Sequence, residues 1–214
     1  MRHCLWLTLA LLAPAAGGCD ALAWFGYVLA PPPPKKTVLP EYPGLEDQHV
    51  AVVIYASPAT QLDYQTVQLE LSDAIGRELT KRIDGITLVD PRRVMRYQDD
   101  NHQWDRLPPE NLCRTFTCDY VLLVTLLEFS TREANSRHLA RGRLLAEAGV
   151  YRTPVGGRGG CVWRAAEPIR ITYPPDNTVG MPARDDYKVR ARTETAFAEA
   201  LVKRFYKHKV PIEP

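Results

Sequence analysis

Apolar residues run almost without interruption from Val50 to Ala56, a short β-branched stretch of the kind that forms a strand buried on both faces. Pro58 ends it. Over Tyr64 to Ile83 the period changes: Val67, Leu71, Ile75 and Leu79 recur every fourth residue, which predicts an amphipathic helix capped by Asp63. Gly85 then turns the chain into ITLV, Ile86 to Val89, a second strand. Asp90 followed by Pro91 supplies the cap and first turn of a short helix through Tyr97. The segment YVLLVTLLEF, Tyr120 to Phe129, is apolar at both alternating sets of positions until Glu128, as suits a central strand covered on both sides. Two more strands are expected at about Arg143 to Arg152 and Cys161 to Thr172, with the GGRGG of Gly156 to Gly160 between them. The last run, about Asp185 to Lys207, sets Ala196, Phe197, Leu201 and Phe205 on one helical face. Lys203, Arg204, Lys207 and His208 gather near its end, where positive charge meets the negative end of the helix dipole.

The order is strand, helix, strand, helix, three strands, helix. It predicts an α/β protein of mixed α+β type: a mixed sheet of about five strands that opens with a βαβ unit, helices packed on it, and a helix at the C-terminal end. No repeat and no second globular domain is visible.

The residues before His49 read differently. Arg2 and His3 form a short basic head and Leu5 to Ala16 an apolar run, followed by small residues ahead of Cys19, which is the layout of an export signal. The run is shorter than the roughly 20 residues a membrane-spanning helix takes. Ala16-Gly17-Gly18-Cys19 resembles the bacterial lipobox, and that resemblance implies cleavage before Cys19 and lipidation, with palmitate among the acyl groups, of its thiol. The competing reading is an uncleaved signal anchor, because the apolar character resumes at Ala21 to Ala30, but Pro14, the two glycines and Asp20 interrupt it and charge at mid-bilayer is costly. Trp24, Phe25 and Tyr27 then fall where amphipathic aromatics favour the headgroup region, or else form an ordinary packed strand. PPPPKK and the proline-containing stretch to Asp47 read as a stiff spacer; a proline-rich ligand for a partner is the sharper alternative. The expected organisation is a signal peptide at 1–18, a lipidated cysteine, aromatic stretch and tether at 19–48, one domain at 49–208 and a tail at 209–214.

Composition narrows the chemistry. The chain has 214 residues, 45% of them hydrophobic, and a net charge of +2. Removing residues 1–18 takes away one charge, that of Arg2, leaving +1. Such a balance does not point to a nucleic-acid partner, and the hydrophobic content excludes disorder of the whole chain. Of the cysteines after Cys19, Cys113 and Cys118 flank a short loop and are a candidate disulfide if their Cα atoms come within roughly 7 Å; Cys161 is then the odd thiol. The glycine-rich segment around Arg158 lies between strands rather than before a helix, so a hairpin turn explains it better than a phosphate loop. His49, His102, His138 and His208 are dispersed, and no metal or cofactor site is expected. Ser57 and Ser72 lack the nucleophile-elbow motif, and no catalytic residue is assigned.

One family resemblance organises these elements. VAVVIYA as the opening strand, a long helix ending near LTKRI, ITLVD before a short helix, CDYVLLV introducing the central strand and the closing AFAEALVKRFYKH together resemble the CsgG-like superfamily of bacterial envelope lipoproteins, over roughly residues 49 to 207. The resemblance implies a lipid-anchored, non-enzymatic accessory or scaffold subunit of an export, secretion or cell-wall complex, facing the periplasm and acting by docking to an envelope protein, with self-assembly into a homo-oligomer open to it. An oligomeric export channel is the alternative and an envelope enzyme the third reading. The charged stretch Thr131 to Arg143 lacks the alternation that barrel-lining strands of roughly 10 residues need, which argues against the channel. Candidate partner-facing residues are Arg137, Arg141, Arg143, Arg158 and Trp104, since Arg and Trp are enriched where truncation costs binding energy.

Overall fold

The computed structural model describes residues 35–133, 136–155, 158–175 and 180–211. Cys19, the export signal and most of the tether lie outside the described residues. The elements in chain order are β1 (Lys35–Val38), β2 (His49–Tyr55), α1 (Pro58–Asp63), α2 (Val67–Arg82), β3 (Thr87–Leu88), α3 (Pro91–Asp100), a 3-10 turn (Trp104–Arg106), α4 (Asn111–Phe116), β4 (Tyr120–Arg132), β5 (Leu139–Val155), β6 (Arg158–Arg164), β7 (Ile169–Tyr173), β8 (Met181–Pro182), a 3-10 turn (Ala183–Asp185), α5 (Asp186–Val202) and β9 (His208–Pro211). The chain divides into two units, Val38–His208 and the two end segments. β1 and β9 pair with each other as a two-stranded ribbon. The expected mixed α/β class holds, but the main sheet has seven strands, more than the five or so expected.

That sheet is parallel at one end and antiparallel at the other. β3, β2 and β4 run parallel, with Val50 opposite Leu88 on one side and Tyr120 on the other. The crossover from β2 through α2 to β3 is the expected βαβ unit. Asp119 fixes the start of β4: its backbone N–H donates to the His49 carbonyl at 2.8 Å, and its carboxylate accepts from the His49 N–H at 2.8 Å. β4 and β5 form a long antiparallel pair from Tyr120 opposite Arg152 to Arg132 opposite Ala140, with irregularities at Leu126/Glu128 and Ser130/Arg132. β5 is long enough to take β6 along its second half and β7 and β8 along its first. The single strand expected over Cys161 to Thr172 is therefore two, β6 and β7, each beside a different half of β5.

The larger core lies between the sheet and the α2–α5 helix pair. Val67, Leu71, Ile75 and Leu79 are fully buried on α2, and Phe197, Leu201 and Val202 on α5, each contributing about 1.5–3 kcal/mol. α2 starts later than the Tyr64 expected for it. Ser57, not Asp63, caps a separate helix α1 by accepting from the Thr60 N–H, and α2 opens at Val67 behind Thr66 with no side-chain cap. Asp90 does cap α3 as expected, accepting from the Arg92 N–H at 2.9 Å. Gly85 (φ +67) makes the turn into β3, where a Cβ would stand 1.9 Å from the Asp47 carboxylate. The domain also begins earlier than expected: Leu45 is 1% exposed in this core, and Glu41 pairs with Arg204.

Two polar clusters mark the ends of the helix pair. Arg190 Nε contacts Glu70 at 2.7 Å and Glu194 at 3.3 Å and stacks over the Tyr64 ring. Burial, and next the charge of Glu70, push the Glu194 carboxyl up to about 7 despite Arg190. At the other end Glu78 contacts Lys81 at 3.4 Å and Arg82 at 2.8 Å, and Arg82 stacks over Tyr206. Burial alone would raise the Glu78 carboxyl, yet the hydrogen bonds from Arg82 and Lys81 outweigh it and hold it below its ordinary range.

Among the described residues no helix is long and apolar enough to cross a membrane.

Candidate functional site

The second face of the sheet carries a smaller core of Ala51, Val53, Val94, Leu112, Phe116 and Val121 beneath α3 and α4. Trp104 is part of it. The indole is only 9% exposed and meets the Tyr55 ring edge-on with centroids 6.0 Å apart, so its expected place on an exposed partner surface is corrected: most of its area is spent on packing.

β3 is two residues long, which leaves the even-numbered carbonyls of β2 beyond Val50 without a neighbouring strand. Val89 N–H serves Val50 at 3.0 Å. Beyond it, side chains substitute for a strand. Ser72 Oγ donates to the Val52 carbonyl at 3.3 Å, and Gln68 and Gln98 both donate to Ile54, at 2.8 and 2.9 Å. Gln61 donates to Ala56 at 2.7 Å. Buried carbonyls need such partners. Because a carbonyl only accepts, these bonds also fix which end of each glutamine amide is nitrogen. Above them opens a crevice of about 420 Å³ lined by Tyr55, Gln61, Gln68, Gln98, Asp99, His102, Trp104 and Asp105, among others. It lies at the carboxyl end of the parallel strands, where β2 leads to β3 on one side while β4 lies on the other; ligands of open α/β sheets collect at such positions. Sequence reasoning drew attention to Trp104 but passed over the glutamines. The available signal was the shortness of ITLV, since a two-residue neighbour cannot satisfy a seven-residue strand.

The β4–β5 arm holds the other expected site residues. β4 continues past the last β2 pairing, Tyr55 with Thr125, into a stretch with β5 as its strand partner. Leu127, at the bulge, is 51% exposed. Arg141 and Arg143 are half-buried and share Glu133, Arg141 Nη1 at 3.5 Å and Arg143 through a shorter contact. Their charge is thus held within the arm instead of facing a partner. Arg137 is exposed near the turn and borders a second cavity with Arg132 and Asp186. The backbone of Arg158 opens β6 opposite Val155; its side chain lies outside the described residues.

Cys113 and Cys118 are free thiols in the structure, so the expected bridge is absent, but the loop geometry does bring them together. The Cys118 N–H donates to the Cys113 carbonyl at 3.0 Å, and the Cys113 thiol donates to the Tyr151 carbonyl at 3.6 Å. The proximity of the two side chains draws the Cys113 thiol down and drives the Cys118 thiol up. Cys161 is exposed. Among the described residues no group of three or more His, Cys, Asp or Glu side chains could hold a metal ion.

No protein-family model matches the chain, and no curated protein sequence does. Several solved structures are similar in part, three of them as follows. The PelC dodecamer from Paraburkholderia phytofirmans is 10% identical, covers 80% of this chain and 96% of its own, and has a TM-score of 0.44. Lipoprotein GNA1162 from Neisseria meningitidis is 15% identical over 72% of this chain and 97% of its own, with a TM-score of 0.41. The hypothetical protein CT253 from Chlamydia trachomatis is 16% identical over 71% of this chain and 98% of its own, with a TM-score of 0.35. With scores below 0.5, these are distant geometric likenesses.

Proposed function

We propose that the chain is a lipid-anchored accessory or scaffold subunit of a bacterial envelope complex, held to a membrane through Cys19 and working by docking to an envelope protein rather than by turning over a substrate. The observation that carries this reading is the β4–β5 arm. Among the described residues it leaves one edge of β4 without a strand partner between Thr125 and Thr131, whose N–H donates to the Tyr64 hydroxyl at 3.0 Å; it also exposes Leu127 at a bulge and presents Arg137 at its turn. An open strand edge with an apolar side chain beside it is a ready-made docking element. The small residues before Cys19 and the CsgG-like order of elements support the envelope setting.

The test places a photo-cross-linking residue at Leu127 or Arg137 of the full chain in its native membrane. Cross-linking to one discrete envelope protein, weakened by Arg137→Glu, is expected. Arg137 is exposed, so its reversal should change stability by no more than about 0.5 kcal/mol. Arg141→Glu is unsuitable, because it would remove one of the two cations that hold Glu133 and set a second carboxylate beside it. Loss of membrane attachment in Cys19→Ser is expected as well. Conducting pores in bilayers, or turnover of an ester, peptide or glycan panel, would overturn the docking reading.

A further inference from the structure

We propose that the crevice at the carboxyl end of β2 is a binding site for a primary alkylammonium group. The argument rests on how its hydrogen-bonding groups are used. The amide nitrogens of Gln61, Gln68 and Gln98 are committed to the carbonyls of Ala56 and Ile54. Among the described residues their oxygens are left as acceptors with no protein donor. Gln98 shows this most clearly: it is only 8% exposed, lines the crevice, and donates from one end of its amide while the other end is unpaired. That oxygen is not sealed inside the protein but opens into the crevice, where a ligand donor can take the place of water.

The remaining polar lining extends the same bias. Asp99 and Asp105 add carboxylates, and no lysine or arginine lines the space. The donors that remain are the Tyr55 hydroxyl, the His102 ring and the Trp104 indole N–H. Anions are therefore disfavoured by charge. A sugar, whose hydroxyls must both donate and accept, would find acceptors in excess. An ammonium has three donors and no acceptor, which matches this lining, and the Tyr55, Trp104 and Pro58 side chains give its alkyl stem an apolar wall. The volume of about 420 Å³ is within the range of small-molecule sites. The proposal is independent of the docking reading, since the crevice lies among β2, α1, α2 and α3 and does not use the β4–β5 arm.

Two sources share this chemistry, a free aliphatic diamine or polyamine and the lysine side chain of a peptide. The experiment is calorimetric titration of the full chain in detergent with cadaverine, with spermidine and with Nα-acetyl-lysine methylamide, alongside diacetylcadaverine, glutarate and glucose. Saturable binding of at least one amine, and not of the acetylated, acidic or sugar probes, is expected. Binding of the free diamines alone assigns a small amine as ligand; comparable or tighter binding of the lysine derivative assigns a lysine side chain. The exposed pair Asp99→Asn with Asp105→Asn should weaken binding by roughly tenfold or more, the loss expected when charge-assisted hydrogen bonds become neutral ones, while Asp73→Asn elsewhere on α2 leaves it unchanged. No heat with any amine at millimolar concentration, equal binding of diacetylcadaverine, or equal weakening by Asp73→Asn would overturn the proposal.

Discussion

At one end of the α2–α5 pair a single arginine serves two glutamates; at the other, two cations serve one. Each arginine stacks over a tyrosine, Arg190 over Tyr64 and Arg82 over Tyr206, and each cluster includes a glutamate from the buried side of its helix. The outcomes are opposite. Glu194 is pushed up to about 7 and Glu78 is drawn down. Burial acts in the same direction on both but harder on Glu194, where with the charge of Glu70 it outweighs one arginine, whereas at Glu78 two cations outweigh it. Near neutral pH the Arg190 end holds a carboxyl that is poised between its two forms, whereas the Arg82 end stays charged.

The most damaging way to break this contrast is to move α5. Gly142 on β5 lies against Thr193, which is fully buried and donates to the Val189 carbonyl at 2.7 Å. In Gly142→Ala the new Cβ would stand 1.7 Å from Thr193 Oγ1 and 2.9 Å from its Cβ. A rotamer change alone cannot relieve the second contact, so the helix has to shift, carrying Arg190 and Glu194 away from Glu70. A loss of about 3 kcal/mol is expected, the upper part of the range for overpacking a core, read as a lower midpoint in urea unfolding. An unchanged midpoint would show that β5 and α5 are less tightly set than the contact implies.

Glu194→Gln sharpens the contrast. The folded protein holds a proton on Glu194 up to about pH 7, whereas the unfolded chain loses it near the ordinary value of 4.5. Raising pH through that window therefore favours unfolding, and the slope vanishes above 7, where both states are ionised, and below 4.5, where both are protonated. The full difference corresponds to about 3 kcal/mol. Glutamine keeps the shape without the titration. The variant should match the wild type in acid and gain on it as pH rises to 7, by at most that amount. A difference that does not vary with pH between 4.5 and 7 would place the titration elsewhere.

The two clusters were not equally legible from sequence, nor was the rest of the molecule. The run from Val50 to Tyr55 and the fourfold spacing of Val67, Leu71, Ile75 and Leu79 place a strand and a helix because the most deeply buried positions there are apolar, and both are found. β6 and β7 read as one strand, although Pro168 marks the break between them as Pro58 marks the end of β2. α4 was missed because six residues are too few to show a period. Glu78 could be paired with Lys81 and Arg82 by helical spacing alone, at i+3 and i+4. Glu70 and Glu194 are on different helices, and nothing local says that they share Arg190. The crevice was hidden for the same reason: Gln61, Gln68 and Gln98 converge on adjacent carbonyls from three helices. Arg137, Arg141 and Arg143 look alike in sequence, and only Glu133 separates the exposed one from the paired two.

The smallest expected effect is at the other end. Glu78→Gln removes a carboxylate from between Lys81 and Arg82, whose side chains are 60% and 41% exposed. Cations that open to water are well solvated on their own, so losing the shared partner should cost about 0.5–1 kcal/mol. Its pH dependence should run opposite to that of Glu194. The Glu78 carboxyl is depressed in the folded state, so its contribution is complete above the ordinary range of a glutamate and is lost as pH falls through the folded value. Wild type and Glu78→Gln should therefore differ most near neutral pH and converge in acid, while wild type and Glu194→Gln also converge in acid but with the variant the more stable at neutrality. Measuring urea midpoints of the three proteins across one pH series tests both signs together. If Glu78→Gln were also the more stable at neutrality, cation number could not be what distinguishes the two ends, and burial would have to govern both.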